Sequence, residues 1–187
     1  MSDRREFFRA SLGKWLEQAL ESTEERVTAT RYTRPPGALP EVGFLAACTR
    51  CGECVAACPP KVIRTAPTSA GLAAGTPYLD LERAPCIACP DMPCAASCPT
   101  EALTVPPAGW TGYRLARLEF MPDRCVTYRG TPCRVCIDAC PVGERALAMD
   151  DQGHPVPRQE GCVGCGVCVR DCISVPPSFT VRPREAA

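Results

Sequence analysis

Apolar side chains recur at three- and four-residue steps near the start of the chain, at Phe8, Leu12, Trp15, Leu16, Ala19 and Leu20. That period predicts a helix over about residues 4–27 with one apolar face. Such a face packs on the rest of the chain or docks on another subunit or a membrane-attached partner. Pro35, Pro36, Gly37 and Pro40 then interrupt every period, and residues 28–41 read as a linker. Further along, the apolar stretches shrink to "YLDLERAP", "EALTV", "ARLEFMPDR" and "RALAMD". These are long enough for brief strands or single helical turns. No apolar run approaches the roughly 20 residues that a membrane-spanning helix needs. The pattern predicts a small, loop-rich α+β fold, with an amphipathic helix and linker over 1–41 and the remaining structure over 42–187.

Composition shows what holds so little apolar pattern together. The 187 residues include 16 cysteines and 21 prolines, only 6% are aromatic, and the 45% counted as hydrophobic includes every cysteine. The core available from Leu, Ile, Val and Phe is thin, so disulfides, structural zinc or iron-sulfur clusters must supply the difference. Formal charge is balanced at 21 basic and 21 acidic residues, with no block of five like charges. Nucleic acid is therefore not an expected partner.

The cysteines fall into four local motifs at 48–58, 86–98, 125–140 and 162–172. The first is Cys48, Cys51, Cys54 and Cys58, a C-x2-C-x2-C-x3-C-P run with the spacing of a bacterial ferredoxin. Three thiolates of such a loop grip one face of a cluster, while the fourth projects toward a different one. Cys86, Cys89, Cys94 and Cys98 repeat it with a widened second gap, and Cys125, Cys133, Cys136 and Cys140 with a long first gap. Regular spacing returns in Cys162, Cys165, Cys168 and Cys172, which Ile173 follows in place of proline. No cysteine is left over.

Zinc ribbons separate two C-x2-C knuckles by a long loop, whereas each set here is local and three end in Cys-Pro. Disulfides would strain at this spacing. Four complete motifs therefore predict four 4Fe-4S clusters, with the sixteen cysteines as iron ligands. The loaded chain would carry about −8 of net charge, against which 19 of the 21 basic residues are arginine. Because a two-cluster ferredoxin exchanges the fourth cysteine between its motifs, four motifs imply two such units. Sequential pairing joins motif one to two and three to four; nested pairing joins one to four and two to three.

Nothing else forms a catalytic constellation. His154 is the sole histidine, in the turn-like "DQGHPVP", and reads as a surface loop residue. No dinucleotide or NTP fingerprint occurs. Trp110, Tyr113 and Tyr128 read as packing over the clusters rather than as electron relays. Arg50, Arg124, Arg134 and Arg170, beside or between ligands, either tune potential or solvate the surface. "DRREFFR" carries the paired arginines of an export signal, but "ASLG" is as long an uncharged run as the first thirty residues offer. An export signal needs roughly 7 to 15 apolar residues there, so a cytoplasmic location is expected.

The widened second and third motifs in this order, with "GTPYLDLERAPCIACPDMPCAASCPTEAL", "CVTYRGTPCRVCIDACP" and "GCVGCGVCVRDCISVPPSF", resemble the NapG/MauM group of ferredoxin-type proteins and its relative NapF over about residues 44–180. The resemblance implies two ferredoxin-like units and electron transfer between redox partners: a quinol dehydrogenase, a reductase or a molybdenum enzyme subunit. NapF-like proteins imply instead a cytoplasmic role in metalloenzyme maturation. A zinc-held binding module is the minor alternative. The second motif also resembles four-cluster subunits of molybdopterin oxidoreductases, whose pairing is nested. That likeness implies Cys172 with the first loop, Cys58 with the fourth, Cys140 with the second and Cys98 with the third.

Overall fold

The computed structural model describes residues 32–183. The helix expected over 4–27, the paired-arginine segment and the first residues of the linker lie outside the described residues.

The chain builds one layout twice. In the first repeat, α1 (Glu41–Ala47) leads into the first cysteine loop, which closes in the short helix α2 (Glu53–Ala57). A hairpin of β1 (Ile63–Thr65) and β2 (Pro77–Leu79) follows, and the second loop ends in the single turn α3 (Pro93–Ala96). The hairpin pairs Ile63 with Leu79 and Thr65 with Pro77 in antiparallel register. An antiparallel bridge between Ala38 and Leu103 ties the ends of the repeat together. The second repeat has the same parts: β3 (Ala116–Phe120), α4 (Val135–Asp138), a hairpin of β4 (Leu147–Met149) and β5 (Pro155–Pro157), α5 (Val167–Arg170) and β6 (Phe179–Pro183). Here the tie between the ends is a full ladder, β3 against β6, running from Ala116↔Pro183 to Phe120↔Phe179.

Local sequence accounts for these elements. In β3, Ala116 and Leu118 face inward and Arg117 and Glu119 outward, the two-residue alternation of a half-buried strand. Its partner β6 buries Val181 opposite Leu118 and Phe179 opposite Phe120. The four loop helices are about a turn long because each lies between cysteines of one motif and stops where Cys-Pro or a turn redirects the chain. Within each repeat the two loop helices pack on one another, α2 on α3 and α4 on α5.

One main core runs through both repeats, with Phe44, Leu79, Met92, Leu103, Leu118, Leu147 and Phe179 interleaved with buried Cys54, Cys58, Cys94, Cys136 and Cys168. Thiols occupy core positions that a larger domain fills with aliphatic side chains, consistent with the thin apolar content of the sequence.

The proline-rich stretch read as a linker is structured in its described part. Arg34, Pro35 and Pro36 are buried, and Thr33 bridges Leu79. Arg34 causes this: its Nε donates to Glu41 Oε2 at 3.0 Å, its Nη1 to Thr76 Oγ1 and to Pro77 O at 2.8 Å each, and its guanidinium lies 4.6 Å from the Phe44 ring centroid. Composition marks prolines as helix breakers but does not reveal a long-range anchor. Among the described residues, no helix is long and apolar enough to cross a membrane.

Candidate metal centres

The cysteine loops share a backbone device. The residue just before the second cysteine and the residue two before the third have positive φ in three of the four: Arg50 and Gly52, Ala88 and Met92, Gly164 and Gly166. Left-handed residues alternating with right-handed ones turn successive N–H groups toward a common centre, a concavity suited to an anion. The donors reach sulfur: Ala88 N–H to Cys86 Sγ and Gly164 N–H to Cys162 Sγ, both at 3.4 Å. In the third loop the corresponding positions are Pro132 and Arg134, and Arg134 has a φ of −128°. The long first gap is taken up instead by a 3-10 turn over Val126–Arg129 that ends at Gly130 with a φ of 81°.

The loops bring the thiols together in four sets. Cys48, Cys51, Cys54 and Cys98 line one pocket; Cys58, Cys86, Cys89 and Cys94 line another. In the second repeat the grouping appears in the electrostatics. Burial pushes Cys136 up to about 12, with Cys133, Cys125 and Cys172 adding to the rise. Burial likewise raises Cys168, followed by Cys165 and Cys162, then Cys136 and Cys140. Cys140 is also among the groups raising Cys162. The same holds in the first repeat, where burial pushes Cys86 to about 12 and Cys94, Cys89 and Cys58 contribute. Burial takes Cys54 to about 11, with Cys48, Cys51 and Cys98 contributing.

These neighbours are those of sequential pairing. The nested arrangement implied by the molybdopterin oxidoreductase likeness is corrected: Cys98 joins the first loop, Cys58 the second, Cys172 the third and Cys140 the fourth. The reason is mechanical. Consecutive loop helices pack directly, α2 on α3 and α4 on α5, so each fourth cysteine crosses only to the loop beside it. Widening the second motif lengthens the approach to α3 without changing which helices meet.

The donor set fits an iron-sulfur cluster. Two of the groups are four sulfurs around a pocket, and backbone N–H donors reach sulfurs in both repeats. Among the described residues, no three His, Cys, Asp or Glu side chains converge as a single ion requires.

Two ligand candidates are drawn the other way. Burial raises Cys98 and Cys172, but hydrogen bonds outweigh it and hold both thiols below their ordinary range. At Cys98 the donors are the backbone N–H groups of Leu103, Thr100 and Ala102 with the Thr100 hydroxyl. At Cys172 they come from Ser178 and Ser174. Sequence reasoning missed these partners, and a hydroxyl two residues after Cys98 was the one signal that could have found the first of them.

Of the aromatic side chains singled out, Trp110 sits against the Cys58 pocket and its Nε1 donates to Cys89 O at 2.7 Å. Tyr113 meets the Trp110 ring edge-on at 5.9 Å. Tyr128 lies between Phe120 and His154, stacked on the latter at 4.0 Å. His154 occupies the turn between β4 and β5, as expected, although its side chain is largely covered. Arg50 holds the 68–74 loop through Ala74 O at 2.8 Å and Leu72 O at 2.9 Å. Arg134 pairs with Asp138 and Arg170 with Asp171.

Comparison with known proteins agrees with the two-repeat layout. Residues 47–102 match the family described as 4Fe-4S dicluster domain, and residues 122–143 with 159–172 match that described as 4Fe-4S binding domain. The methylamine utilization ferredoxin-type protein MauM of Paracoccus denitrificans is 38% identical over 94% of this chain and 82% of its own length. The ferredoxin-type protein NapG of Escherichia coli is 33% identical over 90% and 77%, and NapF of the same organism 31% over 77% and 82%. No solved structure matches the chain. With two 4Fe-4S ferredoxin-type domains and this similarity along most of its length, the chain belongs to the MauM/NapG family of ferredoxin-type electron-transfer proteins.

Proposed function

We propose that the sixteen cysteines ligate four 4Fe-4S clusters, in the sets Cys48, Cys51, Cys54 with Cys98; Cys86, Cys89, Cys94 with Cys58; Cys125, Cys133, Cys136 with Cys172; and Cys162, Cys165, Cys168 with Cys140. The observation that carries the reading is the repeated gathering of three thiols from one loop with the fourth of its neighbour. Each cluster, when bound, supplies a site that takes up and returns one electron.

The chain's residues hold, screen and tune those sites. Left-handed positions in the second and fourth loops bring N–H groups to sulfur, which favours the more negative, reduced state. Trp110 and the core side chains keep water from the pockets. In this reading the chain acts as a carrier between redox partners, which its similarity to MauM and NapG supports. The chemical class of partner is a one-electron redox protein: a quinol dehydrogenase, a reductase or a molybdenum enzyme subunit. A maturation role rests on the lower similarity to NapF.

Coulometric titration of anaerobic protein tests this. Uptake of about four electrons per chain is expected, with reoxidation by a protein one-electron acceptor. A chain that takes up no electrons overturns the reading.

A further inference from the structure

The two repeats meet at a contact between the second and fourth cysteine loops. Cys86 N–H donates to Cys165 O at 2.9 Å, a direct backbone bond between the second cysteine loop and the fourth. Beside it, a Cβ added at Gly166 would stand 2.5 Å from Leu81 O, so the repeats approach to a distance that no side chain tolerates. Val163, Cys165 and Val167 form a small buried cluster with Cys86, Ala88 and Trp110 packed against it, which leaves this seam dry. The Thr180 hydroxyl, 3.0 Å from Glu82 Oε1, adds a second link across the repeats.

We infer that the Cys86–Cys165 contact is the junction at which electrons cross between the repeats, and that it orders the four sets in a single line. This rests on the four-cluster reading above. Within the first repeat the Cys48 set adjoins the Cys86 set, since α2, which carries Cys54, packs on α3, which carries Cys94. Within the second, the Cys162 set adjoins the Cys125 set, since α5, which carries Cys168, packs on α4, which carries Cys136. The order is therefore the Cys48, Cys86, Cys162 and Cys125 sets. The outermost sets, marked at the surface by exposed Cys51 at one end and by exposed Ile173 beside Cys172 at the other, are where partners exchange electrons. At each step one electron moves, the donor site is oxidised as its neighbour is reduced, and no bond forms or breaks. The first electron comes from an external one-electron reductant.

Spin coupling between reduced clusters reads this order without any activity assay. Dithionite-reduced protein is examined by EPR as wild type and as four alanine variants, one ligand removed from each set: Cys51→Ala, Cys89→Ala, Cys162→Ala and Cys133→Ala. Each variant is first required to hold about twelve irons. Removing an inner set, by Cys89→Ala or Cys162→Ala, is expected to leave one narrow, uncoupled signal beside a coupled pair. Removing an outer set, by Cys51→Ala or Cys133→Ala, is expected to leave three mutually coupled clusters and no isolated signal. An isolated signal in an outer-set variant, or none in an inner-set variant, overturns the order. Where an alanine variant loses more than one cluster, Cys94→Ala or Cys168→Ala in the same set replaces it. Wild type holding far fewer than about sixteen irons would fail the four-cluster reading itself, a result distinct from a wrong order.

Discussion

The backbone N–H of Ser178 donates to Cys172 Sγ at 3.3 Å, and the Ser178 hydroxyl stands 3.7 Å from the same sulfur and 3.3 Å from Ser174 Oγ. Ser178 is fully buried. In the other repeat, Cys98 holds the corresponding position and faces Thr100 Oγ1 at 3.8 Å. The fourth cysteine of the second motif in each repeat is thus a sulfur that collects several donors at once. A donor on a ligand sulfur stabilises the reduced cluster.

Ser178→Ala removes the hydroxyl and keeps the N–H. It is expected to lower the midpoint potential of the cluster held by Cys125, Cys133, Cys136 and Cys172 by tens of millivolts, on the order of the 1 kcal/mol net value of one hydrogen bond. An EPR-monitored redox titration measures it, and an unchanged or raised potential contradicts the assignment.

Arg34 is buried against Glu41, Thr76 O–H and the Phe44 face, and Phe44 walls the Cys48 pocket. Arg34→Met strands Glu41 and is expected to destabilise the loaded protein by about 3 kcal/mol, with iron lost first from the Cys48 set. Adding Glu41→Leu should recover most of that loss, because removing both partners also removes the unpaired charge. Denaturant unfolding of the single and double variants decides; equal stability of the two would refute the ion pair's role.

Trp110 combines a hydrogen bond to Cys89 O with a wall of the Cys58 pocket. Trp110→Phe should cost about 1 kcal/mol for the bond alone and leave oxygen sensitivity little changed. Trp110→Ala should also admit water and oxygen, so its visible absorbance bleaches several times faster in air. Equal bleaching rates in the two variants would remove the shielding role.

Asp150 Oδ1 accepts the N–H groups of His154 at 2.7 Å and Gln152 at 2.9 Å. The bond from His154 N–H is the largest cause holding this carboxyl below its usual value, with burial opposing weakly. A carboxyl depressed in the folded state stabilises the β4–β5 turn above its ordinary range, and the effect fades as pH falls through the depressed value. Amide-exchange protection at Gln152 and His154, taken relative to the intrinsic rate at each pH, should therefore fall in acid. Asp150→Asn, which keeps an acceptor and loses the charge, should abolish the pH dependence. Protection of Gln152 and His154 that ignores pH in the parent protein would refute it.

How much of this was legible in the chain follows from how local each feature is. Ligand spacing such as Cys162-x2-Cys165-x2-Cys168 lies within one loop, and the short strands at 116–120 and 147–149 sit in stretches whose apolar pattern already marked them. Pairing is not local: it depends on which loop helices pack, and the widened second motif suggested a nested exchange that the contact of α2 with α3 does not allow. The anchoring of Arg34 to Thr76 spans 42 residues, and a proline-rich composition conceals it. The arginines beside ligands were open between tuning and solvation; Arg50 instead braces a loop through carbonyl groups. Ser178 and Trp110 reach sulfur and carbonyl groups only after folding, which no spacing encodes.

Iron and acid-labile sulfide per chain, measured on anaerobically purified protein expressed with ample iron, test the central claim most directly. Four sets of four cysteines predict about sixteen of each. About four zinc ions and no sulfide would contradict the electron-transfer account and leave a zinc-held binding module in its place.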